Sequence, residues 1–258
     1  MIQTFKDFFQ SEGITEYNEV SADNLRIIQP HLMPENIKSA IIWLIPYYTG
    51  PHPGRNISLY AVSKDYHLYS KALGGRLCEL AKATFPKEEF YCFCDSSPIN
   101  EVIAATVAGL GVLGQNRLLI NKTYGTYVFI GCMLSTMEPC EPQNQPLKNC
   151  NMCGLCVKNC NFLAGTQDAC MSELNQRKIL SEAELKSVRA EKIRWGCDKC
   201  QEICPMNKYV SLTPIDFFYQ DNIDYVTSEM IENMSKDEFR KRAFSWRGKK
   251  TILRNLTD

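Results

Sequence analysis

The sequence has no surplus of either charge. Lysine plus arginine number 29, aspartate plus glutamate number 29, and the pI is about 6.8. A domain built to hold nucleic acid usually carries a clear basic excess, so that class is not the first reading. Long apolar runs are missing too. The most apolar stretch, 40–48, is far shorter than the roughly 20 residues a membrane helix needs. The start of the chain mixes Lys6, Asp7 and Glu12 with apolar side chains and does not read as a targeting segment. The expectation is a cytoplasmic, monomeric protein with no membrane partner. Core-forming residues are not scarce: 45% of the chain is hydrophobic and 22% charged, which excludes disorder as the default.

What is abundant is cysteine, with thirteen in 258 residues. Disulfide scaffolds with that density are short secreted chains that cannot build a core. This chain is long enough to build one, so metal ligation is the better reading. The bulk of the cysteines fall between Cys150 and Cys204, after a proline-rich polar stretch, 138–146.

The first half reads as alternating strands and helices. Residues 5–10 suit a short helix stopped by Gly13. The run Ala40-Ile41-Ile42-Trp43-Leu44-Ile45, ended by Pro46, suits a buried strand. Residues 60–85 have helical spacing, with Leu68, Ala72, Leu73, Leu77, Leu80 and Ala81 on one face. Phe90 to Cys94 suits a strand. Asp95-Ser96-Ser97-Pro98 then forms a strand-to-helix turn, with Ser97 as N-cap and Pro98 at the first helical position. Strands follow at 118–121 and 127–135, and a charged helix at 181–193. From Ser235 onward the tail has eight basic residues against three acidic ones.

Cys150-x2-Cys153-x2-Cys156-x3-Cys160 is the bacterial ferredoxin run. Three thiolates at two-residue intervals reach three corners of one cubane, and the fourth points to a neighbouring cluster. Cys170, then Cys197-x2-Cys200-x3-Cys204-Pro205, reads as a second run split by an insertion. The reciprocal pattern assigns Cys150, Cys153, Cys156 and Cys204 to one [4Fe–4S] cluster. It assigns Cys160, Cys170, Cys197 and Cys200 to the other. Zinc also uses C-x2-C pairs, but the x2-x2-x3 spacing favours a cubane. Cys78, Cys92, Cys94, Cys132 and Cys140 read as core or incidental thiols. Gly109-x-Gly111-x-x-Gly114 copies the dinucleotide fingerprint, yet it closes a helix instead of opening one, so a nicotinamide cofactor is not expected. A close backbone approach to some other large ligand stays open.

Several linked segments resemble the epoxyqueuosine reductases, which are related to reductive dehalogenases. Ile57-Ser-Leu-Tyr60-Ala-Val-Ser-Lys-Asp65-Tyr66-His67 is similar to Y-A-x-G-x-D-Y-H, and Asp95-Ser-Ser-Pro98-Ile-Asn-Glu101 to D-S-x-P-x-x-E-R. Ala108-Gly-Leu-Gly111-Val-Leu-Gly114-Gln-Asn116 is similar to A-G-L-G-W-x-G-K-N. Gly196-Cys-Asp198-Lys-Cys-Gln-Glu-Ile-Cys-Pro-Met-Asn207 matches G-C-D-x-C-Q-x-x-C-P-W-N. The tail segment 249–255 is similar to the family's closing G-R-x-x-L-x-R-N. Val102, Gln115, Val112 and Ser63 depart from the family's Arg, Lys, Trp and Gly.

The resemblance implies an α/β (α+β) chain in three blocks. Residues 1–137 form a cobalamin-binding catalytic domain, 138–215 a ferredoxin-like domain with two [4Fe–4S] clusters, and 216–258 a basic helical tail packing back on the core. It implies an oxidoreductase that uses base-off cobalamin and both clusters to reduce the epoxide of epoxyqueuosine in tRNA, supplied by an external one-electron donor such as ferredoxin or flavodoxin. Asp95 is the implied proton donor and a cofactor neighbour. Ser58, Tyr60, Asn116, Ser172 and Asp198 are the other implied cofactor contacts. From the residues alone Asp95 is also readable as a helix cap, Glu101 as a first-turn residue, and His67 as a helix-start histidine. Two alternatives remain: an offshoot that reduces another substrate with the same cofactors, and a non-catalytic ferredoxin-type carrier.

Overall fold

The computed structural model describes residues 1–256, so the last two residues of the 216–258 block lie outside the described residues. The chain divides into two compact units, each assembled from segments distant in sequence. The three blocks above divide the chain by composition; these units divide it by contact.

The first unit holds 1–47, 69–153 and 209–214. Its centre is a four-stranded sheet of β1 (Tyr17–Ser21), β2 (Ser39–Pro46), β3 (Phe90–Cys94) and β6 (Val128–Ser135), in the order β1-β2-β6-β3. Every pairing in it is antiparallel, so the mixed fold is of the α+β kind. Two short strands, β4 (Val112–Leu113) and β5 (Leu119–Ile120), form a separate ribbon. All eight residues of β2 are buried, which is why its sequence is continuously apolar. On one face Ala40, Ile42, Leu44, Cys132 and Leu134 pack with Ala104, Ala105 and Val107 of α3 (Glu101–Val107). On the other, Trp43 meets Phe9 of α1 (Gln3–Ser11), ring centroids 5.6 Å apart.

Gly131 sits directly across from Trp43 in the β2–β6 register. A Cβ there would lie 2.2 Å from Trp43 Cε2. Gly131→Ala is therefore expected to destabilise the fold by about 1–3 kcal/mol, read as a lowered Tm; an unchanged Tm would mean the sheet accommodates the methyl.

α2 (Tyr66–Thr84) is shorter at its start than the periodicity predicts, because 59–61 form a 3-10 turn. Its buried stripe in the first unit is Leu73, Leu77 and Ala81. Leu68 and Ala72 are exposed, contrary to the sequence reading. Ala72 lies about 100° and Leu68 about 140° around the helix from Leu73, away from the buried stripe.

The second unit holds 48–68, 154–208 and the chain from 215 onward. It is built of short helices: α4 (Leu155–Lys158), α5 (Met171–Leu174), α6 (Glu182–Ala190), α7 (Lys199–Glu202), α8 (Ser228–Asn233), α9 (Lys236–Arg240) and α10 (Lys249–Leu256). Ile57, Trp195, Val226, Ile231, Phe244 and Ile252 share one core, so the basic tail contributes apolar side chains to this unit. Among the described residues, no helix is long and apolar enough to cross a membrane.

Candidate active site and cluster ligands

In the first unit β3 delivers the chain into a tight turn. Ser96 N–H donates to Cys94 O at 2.9 Å, and Asp95 between them has φ +65°. Aspartate tolerates that left-handed region better than most residues, at some strain. Asn100, not Ser97, caps α3: its Oδ1 accepts from Ile103 N–H at 3.0 Å. Ser97 is already spent within the turn, where it bonds Ile99.

Asp95 is exposed. The more enclosed carboxyl is Glu101, a half-buried residue whose Oε1 is shut off from solvent. Asp95 N–H donates to Glu101 Oε2 at 3.2 Å. Burial, followed by the negative charge of Asp95, pushes the Glu101 carboxyl up to about 8. At neutral pH Glu101 holds a proton beside Asp95, and its Oε1 has no hydrogen-bond partner. The sequence contained a signal for this: two acids six positions apart bracketing a Ser-Ser-Pro turn.

Two more buried polar atoms of this unit lack partners, Gln115 Oε1 and Asn116 Nδ2. They follow the glycine segment, which ends α3 and enters β4 as expected. A cavity of about 280 Å³ lies beside that segment, lined by Asn18, Thr106, Gly109, Gly111, Gln143 and Lys148. An orphaned amide donor and acceptor suit a ligand fringed with amides, and cobalamin is one. Gln115 and Asn116 thus keep hydrogen-bonding capacity of the kind such a ligand would use. Gln115 N–H also donates to Cys150 Sγ at 3.4 Å, and Cys150 N–H to Leu113 O.

In the second unit Asp198 is 1% exposed and fully engaged. Its carboxylate accepts from Arg55 (2.9 Å), Ser58 Oγ (2.5 Å), Leu59 N–H (2.8 Å) and Gln201. The Ser58 hydroxyl is committed in return. These two side chains clamp the 55–59 loop to α7. Gly196 lets the clamp close. It has φ +72°, and a Cβ on it would lie 2.4 Å from Ser58 Cβ. Tyr60 packs edge-on to Tyr66 at 6.4 Å. Ser172 Oγ accepts from Gln176 Nε2 at 3.1 Å. His67 starts α2 with Asp65 Oδ1 2.8 Å from its Nδ1, the helix-start role.

Cys160, Cys170, Cys197 and Cys200 gather in this unit, close enough that the first three each act electrostatically on Cys200. Burial pushes the thiols of Cys197 and Cys200 up to about 12. Such thiols stay protonated unless a metal displaces the proton, so the donor set suits a cluster. Cys156 is buried and Cys204 half-buried in the same unit; Cys150 and Cys153 belong to the first unit. Among the described residues, no three His, Cys, Asp or Glu side chains surround a single-ion centre.

No family model matches the chain. An epoxyqueuosine reductase of Gloeobacter violaceus is 33% identical over 230 residues, covering 80% of this chain and 69% of that protein. The chain belongs to the epoxyqueuosine reductase family. The epoxyqueuosine reductase of Staphylococcus aureus is 30% identical over 202 residues, 74% of this chain and 53% of that protein. The chain spans about half the length of several of its epoxyqueuosine reductase relatives. A solved epoxyqueuosine reductase with an epoxyqueuosine-modified tRNA-Tyr stem loop has the same fold, with a TM-score of 0.82 at 22% identity, covering 98% of this chain and 79% of that one.

Proposed function

We propose that the chain is a cobalamin- and iron–sulfur-dependent reductase that converts the epoxide of epoxyqueuosine in tRNA to the alkene of queuosine. Two electrons and two protons enter and one water leaves. The observation that carries this reading is the Asp95–Glu101 pair, standing at the family's D-S-x-P-x-x-E turn with one proton stored at neutral pH.

Cobalamin, when bound, supplies the low-potential reducing power that opens the carbon–oxygen bond. Gln115 and Asn116 would hold its amide fringe. Asp95 faces solvent, where a substrate can reach it, and relays to the departing oxygen the proton that Glu101 holds. Glu101, behind it, is the store from which Asp95 draws. Cys150, Cys153, Cys156 and Cys204 would hold one [4Fe–4S] cluster, and Cys160, Cys170, Cys197 and Cys200 the other. Clusters held there would supply one-electron transfer from an external donor of the ferredoxin or flavodoxin type.

The test is anaerobic reconstitution with both clusters and cobalamin, followed by reduction and incubation with epoxyqueuosine-bearing tRNA. Nucleoside mass spectrometry is expected to show the modified base lighter by one oxygen. Bound cobalamin with unchanged tRNA would favour an offshoot with another substrate. Two clusters with no cobalamin binding would favour a simple electron carrier.

A further inference from the structure

Five cysteines of the first unit have no place in the reaction above: Cys78, Cys92, Cys94, Cys132 and Cys140. Two of them touch. Cys78 on α2 has its Sγ 2.9 Å from Cys92 Sγ on β3. This is well inside the separation of two unbonded sulfurs that merely pack. The backbone makes the approach possible. Gly74 stands one helical turn before Cys78 on the same face of α2, and a Cβ there would lie 3.0 Å from Cys92 Cβ. Gly74 thus lets the helix settle directly onto Cys92. β3 is an edge strand of the sheet, and both thiols are only half-buried, so small molecules reach them. Cys132, paired across from Phe93, points to the opposite face from Cys92 and Cys94, and the sulfur in direct contact with Cys92 is that of Cys78.

We propose that Cys78 and Cys92 form a reversible dithiol–disulfide site, oxidised by hydrogen peroxide and reduced by cellular dithiols. The Cys78 thiolate attacks one peroxide oxygen, giving a sulfenic acid and hydroxide, which takes up the Cys78 proton as water. The Cys92 sulfur then attacks Cys78, the S–S bond forms and a second water leaves. Two thiols lose two electrons in all, and one peroxide becomes two waters. Reduction runs by exchange with an external dithiol, which becomes the disulfide. The proton shared between the sulfurs favours Cys78 as the attacking thiolate: hydrogen bonding to Cys92 draws its thiol below the usual cysteine range, while the same contact and deeper burial raise Cys92. The inference stands on the first unit alone and does not depend on the substrate.

The test uses the reconstituted holoprotein, treated anaerobically with a small excess of hydrogen peroxide, alkylated, and digested with trypsin without reductant. The expected product is peptide 77–82 joined to peptide 88–117, two hydrogens lighter than their sum, reverting with a dithiol. The second peptide holds both Cys92 and Cys94, so variants assign the link. Cys92→Ser removes the joined species and Cys94→Ser keeps it. Gly74→Ala, which pushes α2 off the strand, lowers its yield several-fold with the circular dichroism unchanged. Recovery of Cys78 and Cys92 both alkylated would overturn the proposal, as would a joined species that survives Cys92→Ser.

Discussion

The Asp95→Asn variant is expected to turn over epoxyqueuosine-bearing tRNA about 10² to 10⁴-fold more slowly, the range a positioned general acid contributes. The amide keeps the side-chain shape and removes the transferable proton. Glu101 gives the pH dependence. Its carboxyl is uncharged in the folded chain up to about 8, so wild-type turnover falls as pH rises through that value. Glu101→Gln keeps the buried volume but cannot refill Asp95; turnover drops and the alkaline limb disappears. In Asp95→Asn the charge that helps raise Glu101 is gone, and residual turnover loses its alkaline limb at a lower pH. Stability moves with the same group. Between the ordinary carboxylate value of 4.5 and about 8, the folded state holds a proton that the unfolded state has released. Stability is therefore greatest below that window and declines as pH rises through it. Denaturant titrations at a series of pH values are expected to show that slope in the wild type and a flatter one in Glu101→Gln. Unchanged turnover in Asp95→Asn, or an alkaline limb that survives Glu101→Gln, would remove these residues from proton delivery.

The sequence made some of this readable and hid the rest for identifiable reasons. β2 was legible because both of its faces are covered, so every residue is apolar. The end of α3 and the strand after it were legible because Gly109, at φ +76°, punctuates them. The Asp198 clamp was not legible because a motif gives a position without giving its partner. Arg55 lies 143 residues away in sequence, and no local pattern announces that pairing. Glu101 was underread for the same reason: its environment comes from burial and from Asp95, not from its place in a first helical turn. The Cys78–Cys92 contact depends on how α2 seats against β3, which spacing alone does not specify.

Among the cluster ligands, Cys200→Ala is expected to remove one cluster and spare the other. Iron then falls from about eight to about four per chain. Cys200 is half-buried beside Cys160, Cys170 and Cys197, so its loss leaves a three-thiolate site around a vacated corner. Cys160→Ala should lose the same cluster, although Cys160 sits in the other ferredoxin run. Cys153→Ala should lose the opposite one. The decisive member is Cys204, four positions after Cys200 on the far side of α7. If the runs cross over, Cys204→Ala leaves the same residual cluster signal in electron paramagnetic resonance as Cys153→Ala, and a different one from Cys200→Ala. Each variant should also lose turnover, because either gap breaks the path of single electrons. If Cys204→Ala and Cys200→Ala instead leave the same signal, each run serves its own cluster and the reciprocal assignment fails. Zinc in place of iron in the reconstituted protein would overturn the cubane reading itself.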